Sequence, residues 1–281
     1  MKTVKQSFTL VEILVVIVII GILSSFIFFT INDSVEKASI AKSKMFSESI
    51  RNNLLLNLVS EWKLDGNAND SWGSNNGNPA NMSYESEDNC ISGQCGIFNG
   101  SSSIVNCGNN NSLNISSSVT ISAWAKFNIL NRHQSIVSRG STTGNDNFNF
   151  NLEADGRVRF WINNTTYAYF QSITDTNWHY MVAVWNGVQN IIYLDGVVGV
   201  PTDWSPILST SNANVLIGYW NNDTSWALNG LIDEIEIYNA AISETAIKQN
   251  YLSGLNNLLA FGNISEIEYN ERIQELNLSD L

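Results

Sequence analysis

The hydrophobic positions change period twice along the chain. From Phe8 to Ile31 nearly every residue is apolar, and Glu12 is the only charge in 24 positions. As a helix this run extends about 36 Å, enough to cross a bilayer. Lys2 and Lys5 precede it, which places the N-terminus on the cytoplasmic side. The run is too long for the core of a secretory signal, and no small-x-small cleavage site follows. From Asn32 to Val59 the pattern turns amphipathic, with Val35, Ala38, Ile40, Ala41, Met45, Ile50, Leu54 and Leu58 at roughly helical spacing. No Pro or Gly interrupts it, so the pattern predicts one rod, Phe8 to Val59, about 78 Å long. A carboxylate four residues inside an apolar span needs a partner, and Glu12 is that residue.

From Ser60 the period becomes two. Predicted strands are Val59–Leu64, Cys95–Phe98, Ile104–Cys107, Val119–Phe127, Ser135–Ser138, Phe148–Ala154, Val158–Asn163, Tyr167–Gln171, Trp178–Trp185, Ile191–Leu194, Asn214–Ile217 and Leu231–Tyr238. Asn99-Gly100, Asp155-Gly156, Asn186-Gly187 and Asp195-Gly196 are hairpin-type dipeptides between them. A dozen short strands without intervening helices predict an antiparallel β-sandwich of jelly-roll type. Helical spacing returns in Ser243–Leu281, where a capping sequence at Ser243 opens a predicted helical hairpin with a stop at Gly262-Asn263. The fold class is therefore α+β: a long N-terminal transmembrane and amphipathic helix (8–57, span about 8–31), a jelly roll (58–243) and a short C-terminal helical segment (244–281).

Charge sharpens this division. Residues 1–57 hold six Lys/Arg against four Asp/Glu, a net +2, and residues 58–281 hold eight against 22, a net −14. So acidic a body excludes a nucleic-acid partner, whose phosphates need a basic face. Two histidines in the whole chain leave little for a histidine metal site or a Ser-His-Asp triad. Cys90, Cys95 and Cys107 allow one local bridge: Cys90–Cys95 is the favoured pairing, and Cys95–Cys107, across a hairpin centred on Ser101, is its rival.

The N-terminal segment Lys5-Gln-Ser-Phe8-Thr-Leu-Val-Glu12-Ile-Leu-Val-Val-Ile-Val-Ile-Ile-Gly21-Ile-Leu resembles that of type IV pilins and pseudopilins. The resemblance covers about 50 residues. It implies a leader, residues 1–7, cut by a prepilin peptidase between Ser7 and Phe8, N-methylation of Phe8, and polymerisation with other pilin subunits. It also implies that Glu12 neutralises the terminal amine of a neighbouring subunit, the partner its burial demands. Ser7 stands where the family usually has glycine.

The body resembles laminin-G-like, concanavalin A-like jelly rolls, through Glu61-Trp-Lys-Leu-Asp65-Gly-Asn-Ala-Asn-Asp70, Val119-Thr-Ile-Ser-Ala-Trp124, Trp178-His-Tyr-Met-Val-Ala-Val, Ile192-Tyr-Leu-Asp195-Gly and Leu231-Ile-Asp233-Glu-Ile-Glu-Ile-Tyr. That family implies sugar or protein binding more often than catalysis, and often a structural Ca²⁺. Alternation puts Asp233 on the inward face with Leu231, Ile235 and Ile237, where a carboxylate needs compensation. Together with Asp65, Asn67 and Asp70 it supplies the oxygen ligands that Ca²⁺ takes. Trp62, Trp124, Trp178 and Trp185 fall within strands and are expected in the core. The loop Tyr219-Trp220-Asn-Asn-Asp223-Thr-Ser-Trp226 mixes aromatic faces with amide and carboxylate groups, and Trp220, Asn222, Asp223 and Trp226 form a candidate sugar platform, with Trp204 as a further contributor. Glu234 and Glu236 share a face, but no third acid completes a glycosidase pattern, so no catalytic residue is assigned. The expected protein is a non-enzymatic pilin-like subunit that starts in the cytoplasmic membrane and ends in a surface filament, displaying an adhesion domain for a glycan or a surface protein. The alternative is a membrane-tethered lectin that does not polymerise.

Overall fold

The structure, a computed structural model, describes residues 10–11, 14–21, 54–140, 148–163, 166–203, 208, 210–220 and 223–276. The chain divides into two compact units, 1–52 and 53–281. In the first, residues 10–11 and 14–21 are helical with exposed apolar side chains such as Leu10 and Ile17. Among the described residues no helix is long and apolar enough to cross a membrane. Most of the predicted rod, with Ser7, Phe8 and Glu12, lies outside them.

In the second unit, a helical turn at 54–57 passes directly into the first strand. Helix therefore ends at Asn57 rather than Val59, because Leu58 already pairs with Tyr238 across a sheet. In chain order the strands are β1 (Leu58–Trp62), β2 (Asn78–Ala80), β3 (Ser83–Glu85), β4 (Cys95–Asn99), β5 (Ile104–Asn106), β6 (Val119–Phe127), β7 (Gln134–Arg139), β8 (Phe148–Leu152), β9 (Arg157–Ile162), β10 (Thr166–Ser172), β11 (Trp178–Trp185), β12 (Gln189–Leu194), β13 (Val197–Val198), β14 (Thr202–Asp203), β15 (Val215–Ile217) and β16 (Asn229–Tyr238). Each of the twelve predicted strands meets one of these. The other four, β2, β3, β13 and β14, are two or three residues long, too short to display a period.

The pairings are antiparallel and make two sheets. The first runs β13-β12-β11-β6-β16-β4-β3, with β1 added beside β16 and β14 beside β12; the second runs β10-β9-β8-β7-β15-β5-β2. Between them lies the main core, with Trp62, Phe98, Ile121, Phe127, Phe150 and Phe160 almost fully buried. At the β12–β13 turn, Asp195 and Gly196 both take positive φ (52° and 78°), which a type I′ turn requires. The Asn99-Gly100 turn behaves differently from expectation. It joins β4 in the first sheet to β5 in the second, so it is a corner between layers and not a hairpin.

Beyond β16 come helices α1 (Glu244–Ala260) and α2 (Glu266–Glu275), whose N-cap serines, Ser243 and Ser265, accept from the N–H of Ala246 and Glu268. They are the predicted C-terminal helices, although α1 runs unbroken to Ala260. They cover the outer face of the first sheet and create a second apolar cluster. There Ile247, Tyr251, Leu255 and Leu258 meet Trp124, Tyr180, Val182 and Tyr238. Gly254 explains itself at this contact: a Cβ there would stand 2.4 Å from the Trp124 ring. Its helix-propensity cost of about 1 kcal/mol is accepted in exchange for that approach.

One irregularity in β16 matters for the sites. The β6 register shifts between Asp233 and Glu236, and Glu234 sits at φ 48°. This bulge inserts one residue and reverses the alternation. Ile232 enters the main core before it and Ile235 and Ile237 after it. Asp233 therefore does not share the inward face with Ile235 and Ile237, as strict alternation predicted.

Candidate functional site

Along β8 and β9, Phe148, Phe150, Leu152, Val158, Phe160 and Ile162 point into the main core. The alternate positions must then face outward from the second sheet. Asn149 pairs with Trp161 and Asn151 with Arg159 in the ladder, so these four side chains are cross-strand neighbours. The loop after β15 folds over them. Trp220 and Trp226 meet edge-to-face at 4.8 Å, and their ring centroids lie 6.4 and 6.2 Å from that of Trp161. His133 stacks on Trp226 at 4.4 Å.

Charge is balanced beneath the rings. The Arg159 guanidinium lies 3.9 Å over Trp161 and forms an ion pair with Glu153. Asn151 donates to Glu153 Oε1 (2.6 Å), and His133 Nδ1 is 3.0 Å from Glu153 Oε2. Hydrogen bonding is not balanced. Trp161 Nε1, Trp220 Nε1, Asn149 Nδ2 and Asn151 Oδ1 are buried and have no hydrogen-bond partner among the described residues. Leaving one such group unpaired costs about 1–3 kcal/mol, so four in one cluster mark a place where ligand hydroxyls and ring oxygens have work to do.

The predicted platform residues are thus partly united. Trp220 and Trp226 stand together, and Asn222 and Trp204 lie outside the described residues. Asp223 shapes the loop: its Oδ1 accepts from the backbone N–H (2.9 Å) and the hydroxyl (2.7 Å) of Ser225, which hold its pKa below the usual carboxylate value. Arg132 donates to the carbonyls of Gly100 and Thr224 and ties the loop to the sheet corner. Trp161, Arg159, Asn149 and Asn151 were missed from the sequence. Their signal was the alternation Phe-Asn-Phe-Asn-Leu opposite Arg-Val-Arg-Phe-Trp, which places polar and aromatic groups on one outer face.

The residues expected to cage Ca²⁺ do not fit one. Asp70 accepts four backbone N–H groups, from Glu61, Trp72, Gly73 and Asn75. Burial would raise its pKa, and these four bonds outweigh burial and lower it. Asp65 Oδ1 accepts from the Gln94 N–H at 2.7 Å, and Asn67 bonds within its own turn. Asp233 accepts from Ile91, Ser92 and Glu234 N–H, 142 residues or fewer away, and burial with the neighbouring Glu234 charge raises its pKa well above normal. Among the described residues, Asp65, Asp70 and Asp233 do not bring their oxygens within 4.8 Å of one another. Carboxylates surrounded by N–H donors are compensated already and turn the wrong dipoles toward a cation.

Asp233 instead lies against the Cys90–Cys95 disulfide, which forms with a Cα separation of 5.6 Å, while Cys107 remains a buried free thiol. The hairpin on which the rival Cys95–Cys107 pairing rested does not form, since β4 and β5 belong to different sheets. Trp62, Trp124, Trp178 and Trp185 are buried as expected. Glu234 and Glu236 are not freely solvated acids. They line a cavity of about 230 Å³ between the first sheet and α1, together with Trp124, Tyr180, Asn250 and Lys63.

Comparison with known proteins agrees with this architecture. Residues 99–248, more than half of the chain, match the concanavalin A-like lectin/glucanases superfamily, a laminin G-type domain. The chain belongs to that superfamily. Residues 3–28 match the prokaryotic N-terminal methylation motif, so the two elements are fused in one polypeptide. No curated protein matches. Among solved structures, the sandwich is similar to domain 4 of AbnA, an extracellular arabinanase from Geobacillus stearothermophilus solved with arabinotriose (20% identity, TM-score 0.59, 69% of this chain and 97% of that one). It is also similar to the botulinum neurotoxin serotype D binding domain (16%, 0.57, 73% and 53%) and to a mutant Trypanosoma rangeli sialidase displaying trans-sialidase activity (13%, 0.57, 76% and 38%). The chain spans about half the length of the toxin domain, and at these identities the likeness is one of fold. The families matched are a lectin-like domain and a pilin-type motif, both binding or structural in character.

Proposed function

We propose that the protein is a pilin-like subunit, pseudopilins included, of a cell-surface filament, and that its sandwich presents a glycan-binding face built on Trp161, Trp220 and Trp226. The filament reading rests on the methylation motif at residues 3–28. In it, a prepilin peptidase cuts between Ser7 and Phe8, Phe8 is N-methylated, and Glu12 meets the amine of the next subunit inside the membrane before extrusion. The glycan reading rests on one observation: among the described residues, two indole N–H groups and two asparagine amide atoms are buried unpaired beside three half-buried indole rings. Sugars supply what this arrangement lacks, C–H faces for the rings and hydroxyl oxygens for the donors. That the Geobacillus domain was solved with an oligosaccharide is in keeping with this use of the fold.

Mass spectrometry of the N-terminus of surface-sheared material tests the filament reading. The expected species begins at N-methyl-Phe8, and Glu12→Ala is expected to abolish incorporation while membrane insertion persists. Unprocessed chains dispersed in the membrane would instead favour a tethered lectin that does not polymerise.

A further inference from the structure

The cavity beneath α1 is lined by polar and ionisable groups that the glycan face does not use. Its floor is the outer face of the first sheet, where Trp124 (β6), Tyr180 (β11) and Glu234 and Glu236 (β16) stand side by side, and its roof is the Asn250–Asn257 stretch of α1. The bulge at Glu234 makes this possible: alternation continued from the inward Ile232 would turn both glutamates into the core, and the inserted residue turns them outward. Glu236 Oε2 accepts from the Ser122 hydroxyl at 3.0 Å. Among the described residues no side-chain hydrogen bond reaches the Glu234 carboxyl, which feels Lys63 only through space. Lys63 is the one cation of the lining, and it is 43% exposed with its ammonium 3.9 Å from Glu61. Glu61 and Asp65 add negative charge nearby. Burial lifts both Glu234 and Glu236 to about 7. The Tyr180 hydroxyl is buried without a hydrogen-bond partner among the described residues, although Ser122 and Asn250 stand close enough to ease its ionisation.

We propose that this cavity binds a primary ammonium group, held by Glu234, Glu236 and the Tyr180 hydroxyl. Two carboxyl groups and a hydroxyl face the space as acceptors, and an ammonium brings three donors, no acceptor and one positive charge. It thereby supplies the countercharge that desolvated carboxylates require. A divalent metal suits the site less well, because no third acidic, histidine or cysteine ligand converges with the two glutamates among the described residues. The ammonium can come from a free amine or from a lysine side chain of a partner protein.

Isothermal titration on the full chain in nonionic detergent separates the sources, using cadaverine for the first and Nα-acetyl-lysine amide for the second, with 1-pentanol and glucose as neutral controls. The expected result is saturable binding of at least one amine and neither control, with the tighter amine naming the source. Glu234→Gln combined with Glu236→Gln is expected to weaken that binding at least tenfold. Tyr180→Phe should weaken it severalfold, and Lys63→Met should tighten it, because a competing cation is removed. An unchanged melting temperature in Lys63→Met and Tyr180→Phe guards against misreading a folding defect. Absence of saturable binding by both amines, equal binding of the neutral controls, or full binding by the double glutamine variant overturns the proposal.

Discussion

The two outer faces of the sandwich both carry aromatic residues and use them in opposite ways. On the first sheet, Trp124 and Tyr180 are covered by Tyr251 and Gly254 of α1, and Trp178 gives its indole N–H to the Asn89 carbonyl. On the second sheet, Trp161, Trp220 and Trp226 remain half-buried, and two of their N–H groups have no acceptor among the described residues. The chain's own tail closes one face and turns it into core. The loop after β15 folds over the other without giving those N–H groups an acceptor among the described residues. Outside the cavity beneath α1, packing therefore governs the first face, whereas the second is the face proposed for glycan recognition, and substitutions should separate the two.

The largest effect is expected on the closed face. Trp124→Ala removes the ring on which α1 rests and should cost about 3–5 kcal/mol of stability, read by chemical denaturation. Gly254→Val, which pushes a side chain into that ring, should cost about 1–3 kcal/mol. Replacing both Cys90 and Cys95 by Ser frees the short loop that feeds N–H groups to Asp233, and should cost about 2 kcal/mol.

A pH effect belongs to the same face. His179 Nδ1 lies 2.7 Å from Asp195 and its Nε2 3.2 Å from Asp175, beside α2, whose Arg272 bonds the Trp178 carbonyl and is the cation facing this group. Burial alone would lower the His179 pKa; Asp195 and Asp175 outweigh it and raise it to about 9. The raised value means that the stabilisation is complete below the ordinary histidine value of 6.5 and disappears as pH rises through about 9. The melting temperature should fall across that window, and the fall should vanish in His179→Gln. The smallest effect concerns Ca²⁺. With Asp70 and Asp233 already held by backbone amides, a chelator should change the melting temperature by less than about 1 °C.

Much of the fold was legible because strand alternation and Asn-Gly or Asp-Gly turns are local signals. Sheet membership was not, since the Asn99-Gly100 dipeptide reads the same in a hairpin as in a corner between layers. The site was only half legible. Trp220 and Trp226 stood out as aromatics in a loop, but Trp161 looked like one more strand tryptophan, and only the β8–β9 register shows that it faces Asn149. Asp233 was misplaced for a similar reason. A one-residue bulge at Glu234 has no sequence mark, yet it reverses every side-chain direction after it and carries Glu234 and Glu236 under α1.

Binding of the full chain to a broad glycan microarray, with Trp226→Ala and Trp161→Ala as paired variants, tests the division between the two faces most directly. The expected result is retention of a defined glycan class by the parent chain, with signal reduced at least tenfold in both variants at an unchanged melting temperature. A parent chain that retains no glycan, or variants that retain it undiminished, would contradict the assignment of the second face to recognition.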